Sequence, residues 1–433
     1  MPAETTVQLD RDRVRSLIDR EAARLDERTQ GSARMYERAR RSLSGGVASS
    51  YQARDPWPIY LTTGEGPVVH DVDGNRMWDF HNGFGSMVQG HAHPAIVRAV
   101  QERVAQGTHF AATTEDGVLV AEELQRRWGL AKWRFLNSGS EATMDAIRIA
   151  RAYTGRDTIV KIFGSYHGHH DAVMVSIGVE YDRIGDRENY ESLPYGAGIP
   201  KAVSDLTVPV PFNDAGAMER RIERLEREGR KPACVIMEAA MMNLGVVLPE
   251  DGYLQEVRDL TARHGIVLIF DEVKTGLAIA AGGATERFGV QPDMVTLAKT
   301  LGGGLPAGAI GGTERAMSGH GRSPIIGTMS LRACALISTG STRATTSRVI
   351  ASCTAPRTPG RLCIWRDTGE RVFPPGSSPR AYERRRVSNY DASACCIRLR
   401  GTTLAYRWTG TGRWLPAIRL SSRPCLQSHR LGA

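Results

Sequence analysis

Apolar residues recur at helical spacing within residues 11–43 (Val14, Leu17, Ile18, then Leu25), set among charges, and this pattern predicts a surface helix. From Gly66 to Phe80 the spacing shortens to the two-residue alternation of strands. It is interrupted by Asp73-Gly74, a pair suited to a tight hairpin turn. Helical spacing returns from His93 to Gln106, with Pro94 in the first turn and Ile96, Val97, Val100 and Val104 on one face. Three short apolar runs follow as strands: Thr158 to Phe163, Ala233 to Met237 and Ile266 to Phe270. The last is apolar throughout, as expected of a strand buried on both faces. The helix before it is expected to start at the capping residue Asp251 and to stop at Gly265. The densely charged run Glu219 to Lys231 predicts a solvated helix, not a binding patch. Strands separated by helices predict an α/β domain with a mainly parallel central sheet.

This grammar fails after about Ser330. Arg, Ser, Thr, Pro and Cys follow without a sustained period, and no helix is predicted from Leu331 to Ala433. Three regions result: an N-terminal segment with helix and β-hairpin (1–75), a large domain (76–330) and an aberrant tail (331–433). A chain of 433 residues can bury a sizeable core. No apolar run approaches the ~18 residues of a membrane span. No apolar stretch stands behind the charges of Met1 to Arg15 as a secretory signal would require, so a cytoplasmic protein is expected.

Charge changes the picture only in the tail. The net charge of +9 would ordinarily point to an anionic partner such as nucleic acid. From Leu331 onward, however, there are 18 Arg, no Lys and 4 acidic residues, which leaves residues 1–330 at a net −5. The body is mildly acidic, and no nucleic-acid partner is expected. Six of the seven cysteines also lie in the tail, at spacings that match no paired C-x-x-C zinc pattern, so no metal is expected. This composition is what a shifted reading frame of a GC-rich coding sequence produces; a divergent or disordered tail is the alternative.

Several motifs carry chemistry. Asn137-Ser138-Gly139-Ser140-Glu141-Ala142 opens a helical pattern, where backbone N–H groups and the helix dipole favour an anion; an ordinary helix cap has the same residues. Ile269-Phe270-Asp271-Glu272-Val273 ends an apolar strand in two carboxylates, at the place where α/β folds put ligands. Asp271 there can hold a pyridine nitrogen protonated, or can simply cap the following turn. Lys299, the last lysine of the chain, lies between a strand-like run and Gly302-Gly303-Gly304. A desolvated lysine amine is a Schiff-base nucleophile, and glycines let backbone approach a ligand. Tyr166-His167-Gly168-His169-His170 lacks the carboxylate or Cys spacing of a metal site, whereas Tyr166 can cover a flat cofactor.

In this order, over about Ser44 to Thr328, the motifs resemble those of class-III, fold-type-I pyridoxal-phosphate enzymes, especially the glutamate-1-semialdehyde 2,1-aminomutase group. The stretch Ala281 to Val290 followed by Leu297 to Gly312 is particularly specific. The resemblance implies pyridoxal 5'-phosphate as cofactor, Gly139 and Ser140 on its phosphate, and Tyr166 stacked on its ring. It further implies Asp271 at the pyridine nitrogen, Val273 under the ring and Lys299 as the Schiff-base lysine. Glu238 and Asn243 match a Glu-Pro-x-x-x-Asn loop, with Ala239 in place of proline. Thr328 matches a threonine that reaches the phosphate of the neighbouring subunit, which implies a homodimer.

Two departures concern the substrate. Gln52 stands where the aminomutases carry a carboxylate-binding arginine, and lacks its charge and two-pronged geometry. Ala278 replaces the arginine usual after Asp-Glu-Val-x-Thr-Gly. The small C-terminal α/β domain of such enzymes is not legible after Thr328. The resemblance thus implies amino-group transfer on a small amino acid or amino-aldehyde, aminomutase-like. A transaminase working between two molecules and an inactive frame-shifted product are the alternatives.

Overall fold

The computed structural model describes residues 10–318, 394–399, 402–409 and 413–420. The chain divides into two units, 1–336 and 337–433.

In the first unit the expected surface helix is two helices, Arg11–Arg28 and Gln30–Ala39, broken at Thr29. Strands β1 (Leu61–Glu65), β2 (Val68–Asp71) and β3 (Arg76–Trp78) form an antiparallel sheet. The β2–β3 hairpin turns at Asp73-Gly74 as expected, because the Asp71 carboxylate accepts from the N–H groups of Asp73 and Asn75 (3.0 and 2.8 Å).

The central sheet has seven strands: β4 (Lys132–Leu136), β5 (Ile159–Ile162), β6 (Thr207–Val210), β7 (Cys234–Met237), β8 (Val267–Asp271), β9 (Met294–Ala298) and β10 (Gly308–Gly312). Their order is β4-β10-β9-β8-β7-β5-β6, and β10 runs antiparallel to both its neighbours. Every residue of β5, β7 and β8 is buried. Their side chains alternate between two cores. Val160, Ile162, Val235, Leu268 and Phe270 pack with Met218, Ile222, Val257 and Leu260 of the helices Ala215–Arg227 and Tyr253–Arg263. Ile159, Cys234, Ile236, Val267 and Ile269 pack with Ala142, Ala146 and Ile149 of the helix Gly139–Thr154. Two apolar faces per strand explain why these runs show no polar alternation.

Two expectations are corrected. The helix before β8 is capped by Gly252 in the left-handed conformation (φ 84°), with no side-chain cap, so Asp251 is not its capping residue. There the chain enters the helix through a backbone turn, with the Tyr253 N–H donating to the Glu250 carbonyl. The charged run from Glu219 lies in the Ala215–Arg227 helix, which buries Ala217, Met218, Ile222 and Leu225 and exposes only its opposite face.

In the second unit, where no helix is expected, the described residues form the antiparallel meander β11 (Ala394–Leu399), β12 (Thr402–Thr409) and β13 (Arg413–Leu420). Thr, Tyr, Trp and Ile supply strand propensity there, although recurrent Arg hides the period. The remainder of the tail, and the poor order expected of it, lie outside the described residues.

Candidate cofactor site

Parallel strands ending on one edge bring their following residues together. Tyr166 and His167 follow β5, Glu238 follows β7, Asp271 ends β8, and Lys299 follows β9. With Gly139, Ser140, Asn243 and Val273 they line a cavity of about 230 Å³. Eight of the ten residues expected at the site therefore meet in one place. Gln52 is not among the residues lining that cavity. It is exposed, and its side-chain carbonyl accepts from the Ser49 N–H at 3.1 Å. Tyr51 beside it is exposed as well, its ring edge-on to that of Tyr166 with centroids 6.1 Å apart. Thr328 lies outside the described residues.

Lys299 occupies the left-handed region (φ 50°), which costs a non-glycine residue on the order of 1–3 kcal/mol and is held by its surroundings. Burial lowers its amine pKa, and the Lys274 ammonium lowers it further, against the pull of Asp271 and Glu238. A lysine so placed keeps more of the neutral, nucleophilic amine than a surface lysine does.

Asp271 is both a turn cap and a site carboxylate. Its Oδ1 accepts from the Val273 N–H (3.0 Å) and the Thr296 hydroxyl (3.2 Å), while Oδ2 lies 2.7 Å from Nδ1 of His167. The other ring nitrogen, Nε2, lies 2.8 Å from the Ser165 hydroxyl oxygen. That hydroxyl has one hydrogen, which it donates to the Ile162 carbonyl at 2.6 Å. The contact at Nε2 is therefore donated by the ring. With Nε2 protonated, a further proton must lie between Nδ1 and Oδ2, or two lone pairs would face each other. Burial opposes charge on His167 and lowers its pKa against the pull of Asp271. A proton shared within a net-neutral pair meets both conditions. Beneath this chain, the buried Lys161 donates to the carbonyls of Ser165 and Val175 (2.7 Å each) and fastens both ends of the loop that carries Tyr166 and His167. Burial pushes its pKa down to about 7.

At the helix Gly139–Thr154, Ser138 is the N-cap, its hydroxyl oxygen accepting from the Glu141 N–H. The N–H groups of Gly139 and Ser140 have no intrahelical acceptor, and both residues line the cavity, where a helix start can hold an anion. Gly168 (φ 105°) passes so close that a Cβ there would lie 2.7 Å from the Ser140 Cα, and the following His169 N–H donates to the Ser140 hydroxyl at 2.8 Å.

Glu238 is buried, and burial followed by Asp271 pushes its pKa up to about 8. One carboxylate oxygen accepts from the Met242 N–H, and the other has no partner among the described residues. Glu272 points away from the cavity, as strand alternation requires. It accepts from the Ala284 N–H (2.6 Å), from the Thr285 N–H and hydroxyl (3.0 and 2.6 Å) and from the Trp128 indole (3.2 Å). Of the two carboxylates ending the strand, one serves the site and the other the fold.

Residues 50–324 match the family described as Aminotransferase class-III. The chain belongs to that family. A glutamate-1-semialdehyde 2,1-aminomutase of Methanothermobacter thermautotrophicus is 43% identical over 287 residues, 66% of each chain. The class-III chain thus spans just under two thirds of that relative's length. Among solved structures, an omega-transaminase from Sphaerobacter thermophilus is 41% identical with TM-score 0.63, covering 66% of this chain and 65% of that one. A glutamate-1-semialdehyde-aminomutase from Pseudomonas aeruginosa PAO1 is 30% identical with TM-score 0.64, covering 72% and 67%. A variant of the latter was solved in complex with PMP.

The class-III site fits a pyridoxal phosphate on its own chemistry. It offers an anion cradle at a 16-residue helix, a buried carboxylate, an amine of lowered pKa, and an unpartnered buried oxygen on Glu238. The sequence raised His167 only as a metal ligand, and Ser165, Lys161 and Lys274 not at all. Lys161 was detectable, since a lysine inside Ile159-Val160-Lys161-Ile162 breaks an otherwise apolar strand. Among the described residues, no group of three or more His, Cys, Asp or Glu is placed to hold a metal, and no helix is long and apolar enough to cross a membrane.

Proposed function

We propose that this chain transfers amino groups with pyridoxal phosphate held at Lys299, in the manner of the glutamate-1-semialdehyde aminomutases and related class-III aminotransferases. The carrying observation is that Lys299, Asp271 and the Gly139-Ser140 helix start line one cavity. The cofactor, when bound, supplies an aldehyde for an amine and a ring that draws electrons from the bond being broken. Gly139 and Ser140 would hold its phosphate, Tyr166 and Val273 would bracket its ring, and Asp271 would serve the ring nitrogen. Glu238 and Asn243 border the same space. Lys299 would hold the aldehyde, and its amine, beside the reacting carbon, would carry the proton to and from it.

The active form is read as a cytoplasmic homodimer in which Thr328 of one copy reaches the phosphate of the other. Exposed Val97, Val100, Val104, Val118, Leu119 and Phe135 support an apolar interface. Sedimentation of the purified chain tests it, and a monomer at micromolar concentration removes it.

A second reading, a transaminase between two molecules, is favoured by Gln52, whose carbonyl is engaged by Ser49, and by Ala278. Glutamate-1-semialdehyde supplied with no second amino donor decides between them. Formation of 5-aminolevulinate supports the aminomutase; turnover only when donor and carbonyl acceptor are both present supports the transaminase. No turnover in either arm, with cofactor bound, leaves the inactive frame-shifted product.

A further inference from the structure

We propose that Lys274 receives a carboxylate of the substrate in this cavity, so that the chain acts on amino compounds that also carry a carboxylate. The proposal rests on the amino-group-transfer reading and adds the side chain that receives the substrate's carboxylate.

Three observations carry it. First, among the described residues the cavity lining contains two lysines, Lys274 and Lys299, and no arginine. Lys299 is committed as the nucleophile, which leaves Lys274 as the fixed cation for an anionic substrate. Second, the Lys274 ammonium is not neutralised by contact. It donates to Asn243 Oδ1 at 2.6 Å and lies 3.4 Å from the Met242 carbonyl, both uncharged acceptors. Among the described residues it makes no ion pair, and Glu238, whose charge it influences, directs one oxygen to the Met242 N–H and leaves the other unpartnered. An ammonium has three N–H groups, so one remains to be given to a ligand. A half-buried, uncompensated cation on a cavity wall is a desolvation cost that an arriving anion offsets. Third, its place is fixed from two strand ends. Lys274 stands three residues beyond Asp271, after β8, and is tied to Asn243 on the loop after β7. The charge is thereby held beside the reacting lysine, whose amine it influences. Gln52 does not compete for the role, since its carbonyl is bound to its own turn.

The test uses the full chain loaded with pyridoxal phosphate and titrated with propionate, with uncharged propionamide in parallel, followed by the visible absorption of the lysine-linked cofactor. Replacing Lys274→Met should weaken propionate roughly ten- to a hundredfold, the range typical of a lost charged hydrogen bond, and leave propionamide binding unaltered. Lys274→Gln keeps a donor for Asn243 without the charge and should show the same loss, which guards against misfolding of the Met variant. Lys274→Arg should retain most of the affinity. Propionate binding to both neutral variants within about twofold of the parent overturns the proposal. So does a change in the cofactor's absorption without a change in propionate affinity, which would place Lys274 on the cofactor instead. A parent chain that shows no visible band removes the amino-transfer reading, and this proposal with it.

Discussion

Nδ1 of His167 lies 2.7 Å from Oδ2 of Asp271, joining the loop after β5 to the end of β8 across 104 residues of sequence. Both residues are buried. Ser165 fixes the pair's polarity, because its only hydrogen is given to Ile162.

That polarity is measurable. In ¹⁵N-histidine-labelled protein, Nε2 of His167 should resonate as protonated near neutral pH, and the shared Nδ1 proton should appear strongly downfield. Ser165→Ala removes the acceptor at Nε2 and should move both signals; Ser165→Thr should restore them. A bare Nε2 in the parent protein contradicts the assignment.

Lys299→Ala should abolish covalent capture of the cofactor. Borohydride reduction of the parent followed by peptide mass analysis should place the label on Lys299. Label on Lys274 or Lys161 instead would refute the role given to Lys299.

Glu272→Ala should unfold the large domain at markedly lower denaturant. The substitution orphans the Ala284 and Thr285 N–H groups and the Trp128 indole in a buried site. Removing one partner of such a network costs on the order of 3–5 kcal/mol. A loss below about 1 kcal/mol would mean that the segment from Ala284 holds without it.

Stability should also vary with pH through Glu238. Its pKa is raised from 4.5 to about 8, so the folded state binds the proton more tightly than the unfolded chain. The stabilisation is complete below the unfolded value and falls as pH rises from 4.5 toward 8. Lys161, with its pKa near 7, adds an opposite slope only above neutrality, as its neutral folded form is relieved of burying a charge. Between about pH 5 and 7 the parent should therefore lose stability relative to Glu238→Gln, by up to ~1.4 kcal/mol per pH unit. Parallel curves for the two proteins over that window would show that Glu238 is not buried as described.

The sequence by itself determined the strand–helix alternation, the lysine and carboxylate of the cavity, and the helix start that lines it. Each is a local pattern: an apolar run ending in Asp271-Glu272, a lysine before glycines, a Ser-Gly-Ser cap. Tertiary structure alone gave the neighbouring carboxylate its task, because strand alternation sends Asp271 to the cavity and Glu272 to the opposite side, onto Ala284, Thr285 and Trp128. It alone set Gln52 apart from the cavity, since a three-residue turn gives that side chain a nearer partner in Ser49. It also made His167, Ser165 and Lys161 parts of one support. His167 finds Asp271 104 residues along the chain, and Lys161 reaches the Val175 carbonyl 14 residues on; no local spacing encodes such bonds. Lys274 belongs to the same class: its distance from Asn243 is 31 residues in sequence and 2.6 Å in space.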